Sequence, residues 1–223
     1  RAGSAFSEIK GSAVLFGVEN QSIALAQQLK NHGWNARLVC LDDAPVSFRS
    51  PDIDMVRIHE INSETLKQVG ADKAESIVGM LSDDENYRIC EIAYENFGTS
   101  ELVVRLNQGT NFEKFSRLGV KIVEPSTAIV SLLDNFIRSP QATSLLLGLQ
   151  KGQDTMEIEL NNPDLHGLAL RDLRLPHDII ILSITRDDQM IISHGYTRLR
   201  IGDTLTMVGS RKSLEKVRGK FAD

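Results

Sequence analysis

The chain has 223 residues, a formal net charge of −5, 41% hydrophobic and 25% charged residues. These are globular values, which exclude disordered, collagen-like and low-complexity scaffolds, and the acidic balance argues against nucleic acid as a partner. At roughly 150 residues per domain the length fits one to two domains, and no apolar run approaches the ~20 residues of a membrane span.

Short apolar runs alternate with amphipathic stretches from Ser12 onward. Strands are predicted at Ser12 to Phe16, Ala36 to Leu41, Met55 to Ile58, Ser76 to Leu81, Glu101 to Leu106 and Val120 to Val123. Between them fall helices at Ser22 to Lys30, Glu64 to Val69, Asp84 to Phe97 and Asn111 to Leu118, three of them stopped by Gly33, Gly98 and Gly119. Strands separated by helices make a doubly wound, Rossmann-like parallel sheet, an α/β fold. A further helix, Ala128 to Ile137, carries Ile129, Leu132, Leu133 and Phe136 on one face. The pattern then changes: Thr155 to Asp223 reads as a small α+β lobe with strands at Met156 to Leu160, Ile179 to Ile184, Met190 to Ser193 and Thr204 to Val208, a short helix near Leu168 to Leu173 and a last helix from Ser210 to Phe221. The organisation is therefore a first lobe over 11–140, a linker over 141–154 and a second lobe over 155–221.

Chemistry concentrates at the strand ends. After the first strand comes Gly17-Val18-Glu19-Asn20-Gln21-Ser22. A dinucleotide fingerprint needs glycines for the tight turn, for pyrophosphate approach and for helix packing, and only the first is present. Glu19 sets a carboxylate where a phosphate would rest on helix N–H groups. Asp42, closing the second strand beside Asp43, stands where an acid would hold ribose hydroxyls. Ser82-Asp83-Asp84-Glu85 either caps the next helix, the better reading, or offers carboxylates to a divalent cation. Arg105 ends the fifth strand and is expected to pair with an acid such as Asp83 or Glu124, or to reach a phosphate. The five histidines show no metal-ligand spacing, and no catalytic motif occurs. Cys40 and Cys90 read as buried free thiols of a reducing compartment.

The stretches AVLFGVENQSIALAQQL, LVCLDD, ETLKQVGADKAESIVGMLSDDENYRICEIA, ELVVRLN and FEKFSRLGVKIVEPS resemble the N-terminal (TrkA-N) lobe of an RCK domain, a regulator of potassium conductance. Residues 156–217 are similar to its C-terminal (TrkA-C) lobe, with Arg186, Gly195, Thr197, Leu199, Gly202, Asp203 and Thr204 matching the core motif. The resemblance implies a non-enzymatic, ligand-sensing module that works as a homodimer or larger ring and gates a transmembrane potassium channel, uptake system or cation:proton antiporter, in cis or in trans. It places the module at the cytoplasmic face of a membrane; the start at Arg1 suggests a piece of something longer. In this reading the helix from Pro125 to Ile137 crosses to the partner's first lobe. The implied cofactor is an adenine nucleotide (AMP, ATP or NAD), weakened by the lost glycines. Candidate ligand residues are Gly17, Glu19, Asn20, Asp42, Asp43, Asp83 and Arg105. A nucleoside monophosphate, a cation or no ligand are the alternatives for the first lobe, and no firm metal site is expected. In the second lobe Arg186, Ile191 and Ile192 are candidates for cyclic di-AMP, which some relatives bind. An NAD(P)-dependent oxidoreductase on the same sheet, or a purely structural assembly module, are the rival readings.

Overall fold

The computed structural model describes residues 11–42, 52–99, 101–149, 152–191 and 193–222. Asp43 and Ile192, both candidates above, lie outside the described residues. The chain divides into two compact units, Arg1–Ile129 and Val130–Asp223.

In the first unit the strands are β1 (Gly11–Phe16), β2 (Trp34–Leu41), β3 (Asp54–Ile58), β4 (Ser76–Gly79), β5 (Glu101–Arg105) and β6 (Lys121–Val123). They form one parallel sheet in the order β3-β2-β1-β4-β5-β6. The helices between them are α1 (Asn20–Asn31), α2 (Ser63–Gln68), α3 (Asp83–Asn96) and α4 (Phe112–Ser116). Successive side chains of a strand point to opposite faces, so β1 feeds two cores. Val14 and Phe16 join Leu66, Ile89, Ala93 and Phe115, which come from α2, α3 and α4. Ala13 and Leu15 join Ala26, with Ile23 and Leu29 of α1 packed against them. A sheet buried on both faces explains the near-continuous apolar strands read from the sequence.

The helix starts are locally encoded. Ser82 caps α3 in a capping box: its Oγ accepts the Glu85 N–H at 3.4 Å, and Glu85 Oε2 accepts the Ser82 N–H at 3.0 Å. Asn62 and Thr65 close the same reciprocal box on α2. Chain order reverses between β1 and β4, and that switch point opens a crevice beyond the strand C-termini.

Helix α5 (Pro125–Arg138) spans the division between the units. The second unit then holds α6 (Pro140–Leu146), β7 (Gln153–Glu159), β8 (Ile180–Arg186), β9 (Gln189–Ile191), β10 (Thr204–Ser210) and α7 (Arg211–Ala222). The strands make an antiparallel sheet ordered β7-β10-β8-β9. Leu214, Val217 and Phe221 of α7 pack into its core with Met156, Ile158, Ile184, Leu205 and Met207. Asp187 and Asp188, both at positive φ (50° and 59°), make the two-residue turn between β8 and β9, a conformation aspartate tolerates better than most side chains.

Two local differences from the sequence reading have clear causes. Most of α6 lies within 141–154, where the sequence predicts a linker; Pro140 stands in its first turn, and the Thr143 hydroxyl donates back to the Ser139 carbonyl at 2.9 Å. The short helix near Leu168 to Leu173 is a 3-10 turn confined to Leu170–Asp172.

Candidate ligand crevice

A cavity of about 560 Å³ lies over the C-terminal ends of β5 and β6 and the start of α1. Glu19, Asn20, Gln21, Arg105, Asn107 and Glu124 contribute to its walls. Three of the predicted site residues, Glu19, Asn20 and Arg105, are thus brought together, while Gly17 is not among the lining residues. Gly17 has φ 137°, and a Cβ there would stand 3.0 Å from Ser22 Oγ and 3.1 Å from the Met80 carbonyl. The turn therefore demands glycine, as the sequence suggested. Ser22 itself is fully buried, its hydroxyl 3.5 Å from Met80 Sδ.

Arg105 is the centre of the crevice. Its side chain is only 15% exposed, and its guanidinium donates to Glu19 Oε2 at 2.6 Å, to Gln21 Oε1 at 3.2 Å and to the Met80 carbonyl at 3.0 Å. Pairing was expected, but with Asp83 or Glu124; the partner is Glu19, 86 residues away in sequence. Glu124 instead accepts the Thr127 hydroxyl at 2.7 Å.

The Asp83 carboxylate is turned to the loop after β5. Its carboxylate accepts the Asn107 N–H (2.8 Å), the Asn107 side-chain amide (2.9 Å), the Gln108 N–H (3.0 Å) and the Asn111 side-chain amide (2.8 Å). Burial pushes this carboxyl up, but those four hydrogen bonds outweigh it and hold it below the usual carboxylate range. Asp83 is a clamp on the loop after β5, and that loop carries Asn107 into the crevice wall. Beside it, fully buried Asn86 ties two strand ends together. Its Oδ1 accepts the Leu81 N–H at 2.9 Å, and its Nδ2 donates to the carbonyls of Leu81 (3.1 Å) and Arg105 (3.4 Å).

The three acids read as a possible cation cluster diverge. Asp83 turns inward, Glu85 caps the helix, and Asp84 is exposed, 3.7 Å from Lys114. Among the described residues, no three His, Cys, Asp or Glu side chains converge as a metal site. Asp42 is engaged by His59 Nδ1, and it is not part of the cavity wall. The glycine fingerprint of a dinucleotide site is incomplete: Glu19 and Ser22 stand at its second and third positions, the Glu19 carboxylate is on Arg105, and Asp42 is engaged by His59. Cys40 and Cys90 are both buried and free, as read.

In the second unit Arg186 is committed internally. Its Nε and Nη2 donate to the two Asp203 oxygens at 2.7 and 2.8 Å, and Nη2 also donates to the Arg198 carbonyl at 2.9 Å. Asp203, 1% exposed, accepts the Arg200 N–H at 2.8 Å as well. Burial pushes Asp203 up; the arginine fork, the Arg200 amide and the positive charges of Arg186 and Arg200 prevail and keep it below the usual range. Ile191 is half-buried against the core of this lobe. Asp178, not singled out from the sequence, anchors the start of α7: hydrogen bonds from Ser210 and Ser213 bring it down to about 2.

Family models match both lobes, a TrkA-N domain over residues 13–125 and a TrkA-C domain over residues 155–222. The chain belongs to the RCK family. Among curated relatives, this RCK chain is 24% identical over 207 residues to YjbQ of Bacillus subtilis (strain 168), a protein named for Na(+)/H(+) antiport, covering 92% of this chain and 33% of that one. It is 24% identical over 184 residues to the Trk system potassium uptake protein TrkA homolog of Archaeoglobus fulgidus, covering 78% of this chain and 42% of the relative. The chain thus spans less than half the length of either. Among solved structures, the human SLO3 gating ring matches with a TM-score of 0.63 at 13% identity, over 92% of this chain and 45% of that one, a likeness of fold. No helix among the described residues is long and apolar enough to cross a membrane.

Proposed function

We propose that this RCK chain is the ligand-sensing regulatory part of a cation transport system, acting on a membrane transporter from its cytoplasmic face. The TrkA-N and TrkA-C lobes in that order carry the reading. The antiporter and potassium-uptake relatives support the transport context. The functional lobes are residues 11–140 and 155–221, joined through 141–154, and the chain works as a homodimer or a larger ring. The sensing site is the crevice around Arg105, at the switch point where open α/β sheets take ligands. The ligand is a small anion-bearing molecule of the adenine-nucleotide class with a single phosphate group, since Arg105 is the one cationic side chain among the described residues that line the crevice. A sensor must bind one conformation better than another. The test is the solution mass of the chain and its thermal shift with AMP, ATP, NAD and cyclic di-AMP. An oligomer whose melting temperature rises with AMP supports the reading. A strict monomer that responds to none of them refutes it.

A further inference from the structure

We propose that Glu19 is an internal competitor anion: its carboxylate occupies the Arg105 guanidinium, and an anionic ligand enters the crevice by exchanging with it. This rests on the crevice being the sensing site. Four observations carry the exchange itself. First, Arg105 is 15% exposed while the Glu19 side chain is 65% exposed, so the cation is fixed and its counter-ion is free to swing away. An exposed carboxylate in such a pair is held weakly. Second, the guanidinium stays in place when Glu19 leaves, because the Met80 carbonyl and Gln21 Oε1 hold it independently. Arg105 Nε is also buried without an acceptor among the described residues, which leaves the group short of negative partners. Third, Glu19 is the N-cap residue of α1, with extended backbone (φ −68°, ψ 165°), yet its side chain caps nothing. Its departure therefore leaves the helix hydrogen bonding unchanged. Fourth, a carboxylate and a phosphate present the same oxygen geometry to a guanidinium, so one replaces the other on the same donors.

The ligand that exchanges is the phosphate monoester of a nucleoside monophosphate. The contact is autoinhibitory: at rest the crevice satisfies its own cation, and only a ligand whose phosphate binds better than Glu19 opens it.

The experiment is calorimetric titration of the full chain and of Glu19→Gln with AMP, adenosine and inorganic phosphate. Far-UV circular dichroism and the melting temperature check that the exposed substitution leaves the fold intact, and Glu19→Asp, which keeps the charge on a shorter arm, is a second variant. Glu19→Gln is expected to bind AMP about fivefold tighter or more, the ratio of an ion pair worth about 1 kcal/mol that no longer has to be broken, while adenosine is unchanged. Glu19→Asp should fall between the two. Adding Arg105→Met to Glu19→Gln should abolish the gain. An equal gain for inorganic phosphate also supports the exchange and identifies the bare anion as sufficient. If adenosine binds while AMP affinity is the same in all variants, the exchange is wrong and the crevice remains a nucleoside site. If neither AMP, adenosine nor phosphate binds any variant, the exchange and the sensing crevice both fall.

Discussion

The buried pair in the second lobe supports a quantitative test. Asp203 is 1% exposed and Arg186 19%, and they are joined by two parallel hydrogen bonds. Truncating Asp203→Ala leaves the half-buried Arg186 guanidinium without its carboxylate, holding only the Arg198 carbonyl, and breaking such a pair costs about 3–5 kcal/mol. In a unit of this size each kcal/mol lowers the melting temperature by roughly 4–8 °C, so the second-lobe transition should fall by at least about 12 °C. Replacing both partners, Arg186→Met with Asp203→Leu, removes the stranded charge and leaves chiefly the Arg200 N–H without its acceptor, a residual cost of about 1–3 kcal/mol. The double variant should therefore be more stable than Asp203→Ala alone. The pH dependence has a definite sign. The Asp203 carboxyl is held below its unfolded value, so its contribution is complete above about pH 4 and is lost as the pH falls through the lower folded value. Wild type and Asp203→Asn should converge in stability on that acid limb. Differential scanning calorimetry of the full chain reads the transition, with the fluorescence of Trp34, the single tryptophan, reporting the first unit as an internal reference. A double variant as damaged as the sum of the singles, or stability curves that stay parallel below pH 4, would refute the argument.

Other expectations concern the first lobe. Asp83→Ala strands four donors around residues 107–111 and should cost about 2–4 kcal/mol, with faster amide exchange at Asn107 and Gln108; unchanged exchange there would contradict the clamp. Because the Asp83 carboxyl also lies below the usual range, Asp83→Asn should flatten the acid limb of first-lobe stability. Burial pushes the Cys90 thiol up to about 12, so a disulfide reagent at pH 8 should label it only as fast as the chain unfolds. Rapid labelling of the native chain would show that the site opens.

Much of the fold was legible because its signals are local. The apolar runs of β1 and β4 reflect burial on both faces, and the Ser82–Glu85 box marks the start of α3 within four residues. The requirement for glycine at position 17 was likewise readable from the strand–turn–helix pattern. What could not be read was partnership across the sheet. Arg105 pairs with Glu19 because β4 sits between β1 and β5 and gathers their ends, a fact of strand order that spacing along the chain does not carry. Asp83 was readable as an acid near a helix start, but its role depends on a loop 24 residues on that folds back over it. Asn107 and Glu124 follow the ends of β5 and β6, so the rule that ligands collect at strand C-termini could have marked both as wall residues. Helix α6 escaped because its Ala, Thr and Ser content resembles a connector.

The buried amide of Asn86 also constrains how this protein can vary. A Cβ built on Gly79, at the end of β4, would stand 2.8 Å from Asn86 Oδ1. Any larger residue at 79 displaces the amide that joins Leu81 to Arg105, while any shorter residue at 86 opens a hole that Gly79 cannot fill. Positions 79 and 86 are therefore constrained by one contact: a side chain added at 79 and a replacement of the amide at 86 both cost the link that Asn86 makes between Leu81 and Arg105.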